Sequence, residues 1–212
     1  MTTTTTPHET ATPISEIAPW RALPVLVAGV FLVVLDFFIV NVAMPSIQHG
    51  LNANASQLEW VVAGYGLTLA SSLLTSGRVG DRVGRRRLFS LGVGVFTITS
   101  LLCALATTPE LLIIARLVQG IGAAMIMTSM LSLIGVLFQG PDRARAISVY
   151  GMVMGVAAAG GQIIGGALIQ ADVLGLGWRA ILLINVPVGL GIMILAPRVV
   201  PESRADHPAR LD

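Results

Sequence analysis

Two ionisable residues, Asp36 and Arg116, lie inside long apolar runs of the 212-residue chain. A charge at the centre of a transmembrane helix costs about 2.5–3.5 kcal/mol even on the most lenient insertion scale, so such residues usually have a function. An aspartate that water reaches inside a membrane can bind a proton or attract a cationic solute. The alternative is a structural ion pair that holds two helices together. Both interpretations make Asp36 and Arg116 the first candidate site residues.

Polar neighbours accompany each of these two residues. Asn41 lies five residues after Asp36, where it could line the same cavity or bond to a neighbouring helix. Gln119 and Gly120 follow Arg116 by three and four residues, which places both on the helix face of the arginine. A long polar side chain beside a glycine is typical of helices that approach closely and share a hydrogen bond. Asn41 and Gln119 therefore join the candidate coupling site.

A second candidate site is the segment GRVGDRVGRRRLF at residues 77–89, where five arginines surround Asp81. Glycines at these places permit a tight turn and close packing against neighbouring helix ends. The arginines could serve only to orient the chain in the membrane, but ion pairs that break and re-form easily also suit a gate. The candidate gate residues are Gly77, Gly80, Asp81, Arg82, Gly84, Arg85 and Arg86.

The fifth apolar run is dominated by small residues. Gly151 and Gly155, and again Gly161 and Gly165, have the four-residue spacing that lets helix backbones approach closely in lipid. Gly166 extends the same stretch. Helix packing is the simplest interpretation, and whether that contact also slides during function is left open by the residues themselves.

The elements that position these residues follow from the hydropathy of the chain. Mean hydropathy is +0.82 and only 11% of residues are charged, against about a quarter in a soluble domain. Crossing the hydrocarbon takes roughly 20 apolar residues in a helix, whereas barrel strands alternate over about 10 residues. Six runs meet the helical criterion, at residues 23–43, 58–75, 88–106, 111–138, 146–168 and 180–196. The sequence therefore predicts an all-α membrane protein with six transmembrane helices in residues 22–197, the first of them ending near Pro45.

Arginine placement predicts the orientation of these helices. All thirteen basic residues are Arg, and a cytoplasmic N-terminus puts eleven of them on the inner side and Arg179 alone on the outer side. Both termini are then cytoplasmic, and the protein lies in the cell membrane. Residues 1–21 form a disordered tail, and residues 198–212 form a second tail or the start of a linker. The net charge of +2 gives no reason to expect a nucleic-acid partner.

Catalytic chemistry is not indicated. The histidines, His8, His49 and His207, lie outside the six runs, and no second carboxylate inside a run pairs with Asp36. The chain has no phosphate-binding loop and no metal-ligand cluster, so no cofactor is expected, and the polar rings of a channel pore are missing too. A transporter is favoured over a non-transporting six-helix membrane protein.

Five motifs in this order resemble those of the major facilitator superfamily, in its 14-helix drug:proton antiporter branch of the EmrB/QacA type. They are LDFFIVNVAMP at 35–45, GRVGDRVGRRR at 77–87, RLVQGIGAA at 116–124, the glycine-rich stretch at 151–166 and WRAILLINVPVG at 178–189. The resemblance implies that Asp36 and Arg116 act in proton or substrate coupling and that Asp81 and its arginines form the inner gate. It also implies that Gly151 to Gly166 form the contact associated with antiport, with the proton as the coupling ion.

The chain departs from this family in two respects. Gln162 follows Gly161 where the family usually has proline, which removes an expected bend and adds an amide that needs a partner in the bilayer. The chain also matches only one of the two six-helix halves of the fold, each made of two three-helix repeats. We therefore expect a part or a truncated form of a longer carrier, or a half that pairs with a second copy of itself. A single half is expected to leave Asp36 and Arg116 uncovered.

Overall fold

Apolar sequence of this kind must pair its backbone polar groups without water, and a helix does so within one segment. The computed structural model describes residues 17–172 and 175–204, and this part of the chain contains helices and no strand. The helices are α1 (Ile17–Leu51), α2 (Ala55–Val83), α3 (Arg85–Ala104), α4 (Pro109–Leu137), α5 (Gly140–Ala171), α6 (Arg179–Leu183) and α7 (Asn185–Val199). The all-α prediction is confirmed for these residues. The predicted tail at 1–21 is wrong for its last five residues, because α1 begins at Ile17, and residues 1–16 lie outside the described residues.

Local sequence explains where two of the helices begin. Asn54 caps α2, because its side chain accepts from the Gln57 N–H at 2.9 Å while the Gln57 side chain accepts from the Asn54 N–H. Thr108 caps α4 in the same way by accepting from the Leu111 N–H at 3.3 Å. The first helical residue of α4 is proline, which needs no hydrogen bond there.

The first helix does not end at the proline where the sequence predicts its end. The expectation that the first helix ends near Pro45 is wrong, because α1 continues through this residue to Leu51. The sixth run is instead divided at Ile184, between α6 and α7. Pro187 has no N–H to offer the carbonyl four residues earlier. Ile184 nevertheless keeps helical φ and ψ of −60° and −26°, and its N–H donates to the Ala180 carbonyl at 3.1 Å. The division between α6 and α7 is therefore slight, and Asn185 follows it directly.

Five segments of the described chain are long and apolar enough to cross a membrane. They are α1, α3, α4 and α5, together with Arg179–Val199, which spans both α6 and α7. The predicted run at 58–75 lies inside α2, which is 29 residues long but is not one of the five. Within that run, Glu59 and several glycines, serines and threonines lower the hydropathy.

The helices pack into one bundle in which α4 is central. Both α2 and α3 pack along α4, and α3 also packs on α7. Helix α1 packs mainly on α5 and α7. Buried residues such as Leu26, Phe89, Phe96 and Ile126 form the core. Helix α5 is the least covered, so one of its faces has no neighbour in the bundle.

Candidate functional site

Asp36 of α1 and Arg116 of α4 form an ion pair inside the bundle, in which Arg116 Nη1 donates to Asp36 Oδ2. Both side chains are 0% exposed. The expectation that a single half leaves them uncovered is therefore wrong. The two side chains point into the middle of the bundle, where surrounding helices cover them, and not toward its open face.

Two further side chains donate to the Asp36 carboxylate. Asn185 Nδ2 lies 2.7 Å from Asp36 Oδ1, and Gln119 Nε2 lies 3.2 Å from the same oxygen. Asn185 is the first residue of α7. Three donors on one carboxylate replace much of the hydration that the charge loses on burial.

Arg116 is held by partners of three kinds besides Asp36. Its Nη1 donates to Gln119 Oε1 at 2.8 Å, and its Nε donates to the Val61 carbonyl at 3.2 Å. The guanidinium carbon lies 4.1 Å from the centre of the Tyr65 ring, a cation–π contact. The prediction that Gln119 lies on the face of Arg116 is confirmed.

Helix α3 completes the arrangement through Ser100. Gln119 Nε2 donates to Ser100 Oγ at 2.8 Å, and Asn185 Nδ2 lies 3.4 Å from the same oxygen. We call Asp36, Arg116, Gln119, Asn185 and Ser100 the buried polar network. It joins α1, α3, α4 and α7, so a change of charge at Asp36 reaches all of these helices.

Two atoms of the buried polar network have no hydrogen-bond partner among the described residues, Arg116 Nη2 and Asn185 Oδ1. A buried polar atom without a partner costs about 1–3 kcal/mol. The network therefore has an unused donor and an unused acceptor.

Two members of the network, Asn185 and Ser100, were not predicted from the sequence, and one predicted residue lies outside it. The sequence does mark Asn185, because an amide within an apolar run is costly in lipid. Nothing in the sequence marks Ser100. Asn41 lies elsewhere: its side chain is exposed and donates to the Phe37 carbonyl of its own helix at 2.8 Å. Asn41 thus bonds neither to Asp36 nor to a neighbouring helix.

The candidate gate lies at a turn between two helices. Helix α2 continues through Gly77, Gly80 and Arg82 to Val83, so that only Gly84 separates it from α3. Gly84 has φ +116°, which favours glycine, and its N–H donates to the Gly80 carbonyl at 2.9 Å. Asp81 pairs with Arg85 at 2.9 Å across this turn. The predicted tight turn is therefore present at Gly84, and the other two glycines are helical.

Glu202, which follows α7, is the part of this region that the sequence analysis missed. Its Oε1 accepts from the backbone N–H of Arg86 at 3.1 Å, and its Oε2 lies 3.6 Å from Arg86 Nε and 3.7 Å from Arg87 Nε. The Ser203 carbonyl accepts from the Arg85 N–H at 2.9 Å. The predicted tail at 198–212 therefore begins with the end of α7 and a segment bound to the start of α3, while residues 205–212 lie outside the described residues.

The glycines of α5 divide into two groups. A Cβ on Gly161 would lie 3.1 Å from the Leu35 carbonyl oxygen, and one on Gly165 would lie 2.7 Å from Ile39 Cγ1, so both glycines let α5 approach α1. A Cβ on Gly151, Gly155 or Gly166 would have no neighbour within 4 Å. Gln162 is also exposed. Only part of the predicted packing surface is therefore used within this bundle.

A known protein family and several known proteins match nearly the whole chain. The family model described as Major Facilitator Superfamily matches residues 26–212. The chain is 40% identical over 199 residues to the drug efflux pump JefA of Mycobacterium tuberculosis, covering 92% of this chain and 38% of that protein. It is 36% identical over 193 residues to the probable actinorhodin transporter of Streptomyces coelicolor, covering 91% of this chain and 33% of that protein.

The fold has a counterpart among solved structures. The proton:xylose symporter XylE of E. coli matches with a TM-score of 0.75 at 18% identity, over 88% of this chain and 46% of that one. The chain thus spans less than half the length of this structure and 33–38% of the length of the two curated relatives.

Proposed function

The chain belongs to the major facilitator superfamily, whose members are transporters and not enzymes, and we propose that it forms half of a carrier that exports drug-like amphipathic molecules in exchange for protons. The observation that carries this proposal is the buried polar network, in which an acid and a base meet inside a membrane bundle. The relatives named as a drug efflux pump and an actinorhodin transporter support export of small organic molecules as the direction and the cargo.

Proton binding at Asp36 is the coupling step of this proposal. A proton on the carboxylate removes its negative charge and with it the ion pair to Arg116. Arg116 keeps Gln119, the Val61 carbonyl and the Tyr65 ring, so its charge stays partly compensated. Asn185 and Gln119 lose an anionic acceptor, which loosens the contact of α1 with α7 and α4. The proton is the coupling ion, and no cofactor takes part.

In the bilayer, we place α2 as a sixth transmembrane helix beside the five more apolar segments, with α6 and α7 crossing as one helix. The arginine distribution then puts both termini on the cytoplasmic side of the cell membrane. Asn41 is exposed one turn beyond Asp36, so we place solute contact on that side of α1. This arrangement separates the solute from the proton site by little more than one helical turn.

A second six-helix bundle completes the solute cavity, supplied by further sequence or by another copy of this chain. The open face of α5 supports this part of the proposal, since Gly151, Gly155 and Gly166 have free space beside them. Small residues on an uncovered helix face allow a partner helix to approach closely in lipid. Asp81 and Arg85, near the turn at Gly84, form the inner gate in this arrangement.

The test is ΔpH-driven uptake of ethidium, an amphipathic cation, into inverted vesicles that contain the carrier with both halves. We expect Asp36→Asn to lower this uptake at least tenfold, because an amide cannot carry the exchanged proton. The matched control is Asp142→Asn, which removes an exposed carboxylate paired with Arg145 at 3.1 Å, and it should leave uptake unchanged. Undiminished uptake by the Asp36 variant, or no ΔpH-driven uptake by the unaltered carrier, would contradict the proposal.

A double variant separates coupling from folding. Asp36→Asn alone leaves the buried Arg116 without its anionic partner, which costs up to about 3–5 kcal/mol. Asp36→Asn with Arg116→Gln removes both charges and should recover most of the thermal stability. If uptake returns together with stability, the ion pair is structural and Asp36 has no part in coupling.

A further inference from the structure

An open groove of about 650 Å³ runs along the outside of the bundle between α3 and α7. Its arginine-bearing end holds Arg86, Arg87 and Ser90. The rest is lined by apolar or small residues, namely Val83, Leu91, Gly94, Val95, Ile98, Met193 and Pro197. A groove that is cationic at one end and apolar along its length matches a molecule with an anionic head and a hydrocarbon chain.

The length of the groove fits one leaflet of a bilayer. Arg87 and Ile98 are eleven residues apart on α3, which corresponds to about 16 Å along the helix. The hydrocarbon core of a bilayer is about 30 Å thick, so each leaflet contributes about half of that. Gly94 is buried at the floor of the groove, where the missing side chain keeps room for a chain beside Met193.

The charged residues at the arginine-bearing end of the groove can still attract an anion. Arg87 is 59% exposed, and its contact with Glu202 is an ion pair of 3.7 Å, longer than a hydrogen bond. Arg86 shares the same carboxylate oxygen at 3.6 Å. Two arginines against one carboxylate give this group a net positive charge. A phosphate in the groove would be held mainly by the more exposed Arg87, because Arg86 Nη1 also donates to the Val200 and Pro197 carbonyls at 3.3 and 3.5 Å. Glu202 opposes the phosphate.

We propose that this groove binds an anionic phospholipid of the leaflet next to the arginines, with the phosphate at Arg86 and Arg87 and one acyl chain between α3 and α7. Basic pockets between helices on the cytoplasmic side are typical of such lipid sites. The groove lies on α3 and α7, whereas the uncovered face proposed for the second bundle lies on α5. The lipid site depends on the proposed function only in that the bundle must lie in a membrane, and it can be tested without transport.

The experiment is native mass spectrometry of the purified chain in detergent, titrated with dioleoylphosphatidylglycerol and, separately, with dioleoylphosphatidylcholine. The unaltered chain should retain phosphatidylglycerol in preference to phosphatidylcholine. Arg87→Gln, at an exposed position that tolerates change, should weaken phosphatidylglycerol binding about fivefold, the contribution of one surface arginine. Arg145→Gln is the matched control, because Arg145 is 73% exposed and lies away from the groove, and it should change nothing.

Glu202→Gln should change the affinity for phosphatidylglycerol in the opposite direction from Arg87→Gln. Its amide oxygen can still accept from the Arg86 N–H, while the charge that opposes the phosphate is gone. Phosphatidylglycerol should therefore bind more tightly to this variant than to the unaltered chain. A residue with only a structural role would not strengthen lipid binding when it is altered.

Blocking variants test the apolar part of the groove. Gly94→Leu fills the floor and should weaken phosphatidylglycerol binding without a change in charge. Leu91→Trp, at a 55% exposed position, is the second blocking variant if Gly94→Leu fails to fold. The proposal is overturned if Arg87→Gln and Arg145→Gln weaken binding equally, or if neither blocking variant has an effect. It is also overturned if glycerol phosphate, which has no acyl chain, competes with phosphatidylglycerol at equal concentration. A change of oligomeric state in a blocking variant would overturn it as well, because the groove would then bind a second copy of the chain.

Discussion

Asn185 donates a hydrogen bond of 2.7 Å to Asp36, a residue 149 positions earlier in the chain. Asn185 is the first residue of α7. Asn185 also lies 3.4 Å from Ser100 Oγ, so it joins α1, α3 and α7. The last apolar segment is thus tied directly to the carboxylate that we assign to proton binding.

The first prediction compares the two asparagines of the apolar runs. Asn185→Ala removes a donor to a buried carboxylate and should lower the free energy of unfolding by about 1.5–3 kcal/mol, the contribution of a hydrogen bond to a charged group. Asn41→Ala removes an exposed bond of 2.8 Å within one helix and should cost less than about 0.5 kcal/mol. Thermal unfolding in detergent measures both. Equal losses would mean that Asn185 is not part of a buried network.

Sequence alone predicted the apolar runs and the shared helix face of Arg116 and Gln119, because hydropathy and helical spacing are local properties. It left open whether Asp36 pairs with Arg116, because that contact joins helices 80 residues apart in the chain. It did not predict that the pair is covered, since the sequence does not say which face of α1 its neighbours occupy. Asn185 was missed because its partners, Asp36 and Ser100, are brought to it only by the packing of α7 against α1 and α3. Glu202 was missed because its partners, Arg86 and Arg87, are brought to it only by the packing of α3 against α7.

The second prediction concerns the close approach of α4 to α2 at Gly120. A Cβ there would lie 2.1 Å from Thr68 Oγ1 and 2.5 Å from the Tyr65 carbonyl oxygen, so the two helices would have to separate. Gly120→Ala should lower the free energy of unfolding by about 1–3 kcal/mol. Because α2 also contributes the Tyr65 ring to Arg116, a shift here should disturb the buried polar network.

Gly166→Ala is the matched control for this change, since its Cβ would have no neighbour within 4 Å. Replacing glycine in a helix should by itself stabilise the chain by about 0.5–1 kcal/mol. Urea unfolding of both variants in the same detergent measures the contrast. A Gly120 variant as stable as the Gly166 variant would contradict the observed approach of the helices.

The third prediction concerns the turn at Gly84. Its φ of +116° is strained for any residue with a side chain, and a Cβ would lie 2.7 Å from Glu202 Oε1. Gly84→Ala should therefore destabilise the chain by about 1–3 kcal/mol and displace Glu202. Gly77→Ala, in the interior of α2 with free space around it, is the control.

Hydrogen exchange measures the local part of this effect. The Arg86 N–H donates to Glu202 and the Arg85 N–H to Ser203, so both amides should exchange faster in the Gly84 variant than in the Gly77 variant. Unchanged protection at these two amides would show that the segment after α7 does not hold the start of α3.

The fourth prediction uses Cys103, the single cysteine of the chain, as a reporter of water. Its side chain is 0% exposed, and its Sγ lies 3.8 Å from Gln119 Oε1, beside the buried polar network. A maleimide reaches a buried thiol only when the surrounding helices move apart. Labelling of the resting carrier should therefore be slow, and a pH gradient with solute present should raise the labelling rate several-fold. In the Asp36→Asn variant the gradient should have no such effect, because an amide cannot take up the proton that opens the network.

Equal labelling with and without the gradient in the unaltered carrier would mean that the network stays closed throughout transport. Protons would then have to cross the bundle by a route that avoids Asp36.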